Sequence, residues 1–157
     1  MKLPVGYTFM QADNRHVEIA KLIIFSVLEE YGLIPDDPEL DSDLENIEIN
    51  YRDGFFGLVI SDLEKLVGTF ALYNIDAQTA EIRKMYLLPE HRKKGIGKWM
   101  LSFLTQKAKE LGFQKVQLLT ASPLIEAISL YKNAGFIEFE SPKPGPRCDK
   151  AFYKMIL

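Results

Sequence analysis

The residues best placed to do chemistry are Arg92-Lys93-Lys94-Gly95-Ile96-Gly97-Lys98. Two glycines alternate here with basic side chains, and the segment opens the clearest amphipathic stretch in the chain. A helix start leaves backbone N–H groups unpaired and carries partial positive charge. Glycine lets the backbone take unusual dihedrals and approach a ligand closely. Arg92, Lys93, Lys94 and Lys98 add full charges. That combination suits a phosphate or a pyrophosphate. Two familiar phosphate loops do not fit. A Walker A loop needs Ser or Thr after Gly-Lys, and Trp99 follows Lys98. A dinucleotide fingerprint needs a third glycine where Met100 stands, and an acidic residue where Leu118, Leu119 and Thr120 stand. A solvated basic helix start is the bland alternative.

The pattern of apolar residues supplies the elements that must position this segment. Tyr7 to Gln11 alternates as a strand. Asp13 or Asn14 can cap a helix whose apolar face is Val17, Ala20, Ile23, Ile24, Val27, Leu28 and Tyr31, and Gly32 stops it. Weaker periodicity through Leu40, Leu44 and Ile47 predicts a short second helix within Glu39 to Asn50. Phe55 to Ile60, Leu66 to Tyr73 and Ala80 to Leu88 read as three strands of an antiparallel meander. Ile96, Trp99, Met100, Phe103, Leu104, Ala108 and Leu111 form a helical stripe closed by Gly112, which makes Trp99 a core residue rather than a stacking platform. Val116 to Thr120 follows as a strand. Ser122 fits an N-cap and Pro123 the first helical position of a helix with Leu124, Ala127, Ile128, Tyr131 and Ala134 on one face. Phe136 to Phe139 and Ala151 to Ile156 complete the strands. The strand, helix and strand around Ile96 to Leu111 imply a parallel pair with a right-handed crossover, so the fold class is α/β with a mixed sheet in one domain, 1–157.

Composition narrows the function classes. In 157 residues, 47% apolar and 26% charged side chains fit an ordinary globular chain. No apolar run reaches the roughly 18 residues of a membrane helix, and Met1 to Met10 lacks the apolar core of a signal peptide. A cytoplasmic protein without a membrane partner is expected. Net charge of −3 gives no basic field for nucleic acid. Cys148 is the only cysteine, a free thiol without a Cys-His signature, and His16 and His91 lack metal-ligand spacing; no metal is expected. Asp36, Asp37, Glu39, Asp41, Asp43, Glu45 and Glu48 form an acidic stretch without Lys or Arg. It fits a cationic acceptor, or a solvated face.

Arg92-Lys93-Lys94-Gly95-Ile96-Gly97 resembles the Arg/Gln-x-x-Gly-x-Gly/Ala motif of the GNAT (Gcn5-related N-acetyltransferase) superfamily. Ala80 to Leu87 is similar to that family's fourth strand, with Leu88-Pro89 as its exit. Ala127-Ile128-Ser129-Leu130-Tyr131-Lys132-Asn133-Ala134-Gly135-Phe136 is similar to its Ala-x-x-Leu-Tyr-x-x-x-Gly-Phe helix, and Phe152 to Met155 to its last strand. The resemblance covers Phe55 to Leu157, and the first third by element order alone. It implies a GNAT-like fold: a mixed, mostly antiparallel sheet whose central parallel strands splay apart to hold acyl-coenzyme A. It implies acetyl-CoA as co-substrate and a small-molecule amine as acceptor, and it allows a homodimer. Met85, Tyr86 and Leu87 would offer backbone groups to the pantetheine arm, with Leu87 N–H as oxyanion donor. The amides from Arg92 through Lys93, Lys94, Gly95, Ile96 and Gly97 to Lys98 would bind the pyrophosphate. Where many members carry Asn, this chain has Leu124, and Ser122 would supply the missing polar contact. Tyr131 matches the tyrosine near the thioester sulfur and would be the acid for the leaving thiolate, although it also lies on a core stripe. Glu81 matches a general base acting through water, although it could equally pair with a nearby cation. A non-catalytic acyl-CoA sensor and a protein-acetylating enzyme are the alternative functions.

Overall fold

A computed structural model describes residues 1–156, so Leu157, the end of the resembling stretch, lies outside the described residues. One seven-stranded sheet runs through the molecule in the order β1-β2-β3-β4-β5-β7-β6. Its strands are β1 (Tyr7–Gln11), β2 (Phe55–Ser61), β3 (Leu66–Asn74), β4 (Thr79–Leu87), β5 (Lys115–Thr120), β6 (Ile137–Phe139) and β7 (Lys150–Met155). The pairs are antiparallel except β4 with β5. The chain reaches β5 through a crossover helix, α3 (Ile96–Glu110), as a parallel connection requires. β7 enters between β5 and β6, so the last strand in sequence sits inside the sheet.

Period-two alternation divides the core. Phe55, Val59, Phe70, Leu72, Ala80 and Ile82 face α3, where Trp99, Met100 and Leu104 cover them. Phe56, Leu58 and Ala71 face the other way, onto Ala20, Ile24 and Leu28 of α1 (Val17–Glu30). Each fully buried Leu, Ile or Phe stabilises by about 1.5–3 kcal/mol, so both faces anchor their helices firmly. Asp13, one of the two expected cap residues, caps a 3-10 turn (Asn14–His16) through a capping box, and α1 follows it without a side-chain cap of its own. On α3 the stripe holds, but Leu111 is exposed and Leu101 is buried in its place.

Two expectations change. The helix expected within Glu39 to Asn50 is a 3-10 turn at Ser42–Glu45 and a single turn, α2 (Ile47–Asn50), capped by Asn46. Asn46 takes extended dihedrals there (φ −148°), which breaks the helical run. The helix expected from Ser122 and Pro123 begins later, as α4 (Ile125–Asn133), with no side-chain cap. Among the described residues no helix is long and apolar enough to cross a membrane.

Candidate active site between the splayed strands

β4 and β5 pair only from Thr79 with Lys115 to Ile82 with Leu118. Beyond Ile82 β4 leaves β5. A bulge helps it leave: Lys84 has φ +52°, the β3 register shifts between Thr69 and Ala71, and Thr69 Oγ1 donates to Lys84 O at 2.6 Å. The diverging strands bound a cavity of about 330 Å³. Its walls are Ile82 to Leu87 of β4, Leu118 to Thr120 of β5, Leu124, Ala127 and Tyr131 from the α4 side, and Val27, Leu28, Tyr31 and Leu33 from the α1 side.

The basic glycine segment forms one end of this cavity. Lys93 (φ +62°) and Gly95 (φ +89°) are left-handed, and Gly95 is the N-cap of α3. Such a turn favours glycine. The first helical bond runs from Trp99 N–H to Gly95 O, and the N–H groups of residues 93–98 have no protein acceptor among the described residues. A carboxylate or phosphate at this end would meet a row of donors and a helix start. Arg92, Lys93, Gly95, Gly97 and Lys98 line the cavity. Ile96 and Lys94 do not: Ile96 is buried in the core, and Lys94 Nζ turns to Tyr7 Oη at 3.4 Å. Tyr7 Oη is itself hydrogen-bonded to His91 Nδ1 at 2.6 Å. The Arg92 guanidinium reaches across the cavity, donating to Glu30 at 2.6 and 2.8 Å, to Tyr31 Oη and to Leu87 O. Glu30 raises its pKa above the ordinary arginine value.

Leu88 N–H donates to Val67 O on β3. Backbone groups alternate sides along a strand, so the N–H of Leu87 turns toward the gap. Tyr86 and Tyr131 both line the cavity. Burial pushes the Tyr86 hydroxyl up to about 12 and the Tyr131 hydroxyl higher still, with Tyr86 adding to the second shift. Both are therefore protonated at neutral pH. The Tyr131 hydroxyl has no protein hydrogen-bond partner among the described residues, although its ring is packed near Phe136 and Phe152. Packing and cavity exposure coexist in this one side chain.

Ser122 stands apart from the others. It is exposed, outside the cavity lining, and its N–H donates to Asp149 Oδ1. At Leu124 the chain is still in a turn, and the helix starts later.

A smaller pocket of about 100 Å³ adjoins the cavity and shares Ile82, Arg83, Lys84, Tyr86 and Arg147 with it. Glu81 lines this pocket at 6% exposure. It accepts from Arg83 Nε at 2.6 Å and from Gln117 Nε2 at 2.8 Å, so the pairing with a nearby cation does occur. The acidic stretch is divided: Asp36, Glu39, Glu45 and Glu48 are exposed to solvent, whereas Asp41 and Asp43 are buried. Asp41 takes a two-pronged bond from Arg147 at 2.8 Å, Lys84 Nζ lies 3.1 Å from Asp41 and 3.3 Å from Asp43, and the Tyr51 hydroxyl donates to Asp43. Burial raises the Asp41 carboxyl, but Arg147 and Lys84 outweigh it and hold it at about 2. Lys84 and Arg147 thus neutralise these two of the seven carboxylates. Cys148 is buried beside Arg147, and burial pushes its thiol up.

The sequence model of the acetyltransferase (GNAT) family matches residues 12–136. An uncharacterized N-acetyltransferase of Escherichia coli K12, YjgM, is 33% identical over 123 residues, 73% of this chain and 72% of its own length. The crystal structure of a GNAT-family acetyltransferase from Staphylococcus aureus superimposes with a TM-score of 0.87 at 26% identity, covering 97% of this chain and all (100%) of that one. A spermidine N-acetyltransferase from Vibrio cholerae, in complex with CoA and spermine, shares the fold at a TM-score of 0.71 and 17% identity, covering 97% and 96% of the two chains.

Proposed function

The chain belongs to the acetyltransferase (GNAT) family, with acetyl-CoA as co-substrate, and from that premise we propose that its 157 residues form one domain that acetylates a primary amine of a small molecule by direct attack in a ternary complex. The observation that carries this reading is the continuous cavity. It begins at the unpaired amides of residues 93–98, runs between β4 and β5, and ends at Tyr131 and the smaller pocket. Phosphates belong at the amides, an extended arm between the strands, and the amine at the far end.

Acetyl-CoA supplies the activated acetyl group: the new C–N bond forms as the thioester C–S bond breaks. The chain's part is to hold charge and move protons. The N–H of Leu87 donates to the carbonyl oxygen as negative charge develops there. The Tyr131 hydroxyl, kept protonated by burial, gives its proton to the departing thiolate and regains one from solvent. Glu81 takes the proton lost by the amine nitrogen through a bridging water. Its two oxygens offer about four lone-pair positions, and Arg83 and Gln117 occupy two of them.

The test is acetyl-CoA with a panel of small amines, followed by release of free coenzyme A. Acetylation of one class of amine well above the hydrolysis background is expected. Tight coenzyme binding with no turnover on any amine would instead make the chain a sensor.

A further inference from the structure

The smaller pocket beside Tyr86 is the surface an acceptor would meet, and its chemistry is lopsided. Four cations line it, Arg83, Lys84, Lys143 and Arg147, against two carboxylates, Glu39 and Glu81. The carboxylates have little to offer a cation. Glu81 already holds Arg83 and Gln117, one on each oxygen, and its remaining lone pairs serve the bridging water. Glu39 is 81% exposed, pointing to water with Lys143 Nζ at 3.9 Å. Behind the wall, Asp41 is held by Arg147 and Lys84, while Asp43 bonds Tyr51 and keeps Oδ1 buried, without a hydrogen-bond partner, 3.3 Å from Lys84 Nζ.

Donors, in contrast, are left over. Arg83 donates through Nε to Glu81, and its guanidinium also lies near the Tyr51 hydroxyl; its terminal nitrogens make no further hydrogen bond among the described residues. Its guanidinium lies 3.7 Å over the Tyr73 ring, which fixes the plane, and its side chain is 24% exposed. Arg147 directs its terminal nitrogens to Asp41 and Ile34 O and leaves Nε unused. A pocket wall rich in unused charged donors and poor in free acceptors is satisfied by a ligand that brings acceptors. A planar guanidinium fork is suited to a carboxylate in particular. A polyamine would place a second ammonium against this cationic wall, where Glu39 is solvated beside Lys143.

Resting on the amine-acetylating reading above, we propose that the acceptor is a small amine that carries a carboxylate, an amino acid or an amino acid-like molecule, and that Arg83 is its specificity-determining residue. The carboxylate bonds the terminal nitrogens of Arg83. Arg83 and Arg147 border both the pocket and the main cavity, so the amine end of the same molecule extends toward the gap between the strands.

The experiment compares three series matched in length: α- and ω-amino acids, their primary amides, and α,ω-diamines with spermidine. At one or more chain lengths the carboxylates should exceed their amides about tenfold to a hundredfold in kcat/KM, the range for hydrogen bonds to a charged group, and exceed the diamines by more. Arg83→Gln should bring the carboxylate-to-amide ratio close to one, chiefly through KM, and Arg83→Lys should restore part of it. The ratio is the readout because Arg83→Gln also removes the partner of Glu81 and lowers all rates together. A second arm needs no turnover: with coenzyme A bound, N-acetyl amino acids should raise the melting temperature and their amides should not. Diamines or amides acetylated as fast as carboxylates would overturn the acceptor class and leave amine acetylation standing. An absence of turnover on every series would overturn amine acetylation, and equal thermal shifts for acids and amides would overturn the carboxylate site itself.

Discussion

At the scale of single residues, the proposed mechanism divides the proton transfers between Tyr131 and Glu81, and the two can be tested apart. Tyr131→Phe removes one hydroxyl that has no protein partner, so packing against Phe136 and Phe152 should survive. General acid assistance is typically worth about a hundredfold or more. We expect kcat and kcat/KM to fall together by roughly that factor, with coenzyme affinity and melting temperature unchanged, because the proton is needed only in the transition state. Steady-state kinetics beside a thermal melt check it, and unchanged turnover would make Tyr131 a packing residue only. Glu81→Gln should lower kcat/KM about a hundredfold by removing the base. Gln at 81 can still accept from Arg83, so an unchanged rate would assign Glu81 to holding Arg83 alone. Both residues could be singled out from sequence because they sit inside family motifs. Arg83 could not: its role depends on which side of β4 the pocket lies, and that is set by the bulge at Lys84, which no local spacing announces.

At the scale of elements, the start of α3 and the tie between the 36–50 segment and the last loop each make a claim. At Gly97 an added Cβ would stand 3.4 Å from Leu130 Cδ2, a contact that small movement relieves. Gly97→Ala should therefore fold, whereas Gly97→Glu puts a carboxylate among the amides of residues 93–98 and should abolish coenzyme binding, measured by calorimetry, without preventing folding. The tie is the buried Asp41, joined to Arg147 and Lys84. Its pKa is lowered on folding, so the stabilisation is complete above the unfolded value near 4 and is lost as pH falls through about 2. About 1–2 kcal/mol should disappear across that window, with allowance for solvent screening, and urea melts between pH 6 and pH 2 would record it. Asp41→Asn should flatten this acid dependence, and should itself cost about 3–5 kcal/mol because two buried cations lose their partner. The seven strands and both long helices were legible in the chain, since alternation of period 2 and of 3.6 encodes each one locally. The burial of Asp41 within the acidic segment was not legible, for the converse reason. Its partners, Lys84 and Arg147, lie more than 40 and more than 100 residues away in sequence, and no periodicity links them. The surroundings of Ser122 were hidden likewise: its N–H is taken by Asp149, a loop residue just before β7 and 27 positions away.

At the scale of the whole molecule, the sheet is two half-sheets joined by a short seam. β1 to β4 form one and β5 to β7 the other, and the parallel pairing that joins them spans Thr79 to Ile82 against Lys115 to Leu118. Beyond the seam the halves are separated by the cavity, bridged on one face by α3 and α4. A ligand lying in the gap contacts both halves and the α3 start together, and so it must add stability that the folded chain alone lacks. By linkage, acetyl-CoA at about 100 times its dissociation constant contributes roughly 2.7 kcal/mol. For a chain of this size that corresponds to a rise in melting temperature of about 5–10 °C. The rise should be absent in Gly97→Glu and retained in Tyr131→Phe. The location of the effect is a sharper test than its size. If the coenzyme arm occupies the gap, amide hydrogen exchange should slow at residues 85–87, at residues 93–98 and at the C-terminal end of β5, the groups with no strand partner across the gap. It should change little in the β2–β3 hairpin, which is fully paired and lies away from the cavity. Protection spread evenly over all seven strands would mean that the ligand acts only through global stability, and the gap would lose its claim to be the coenzyme channel.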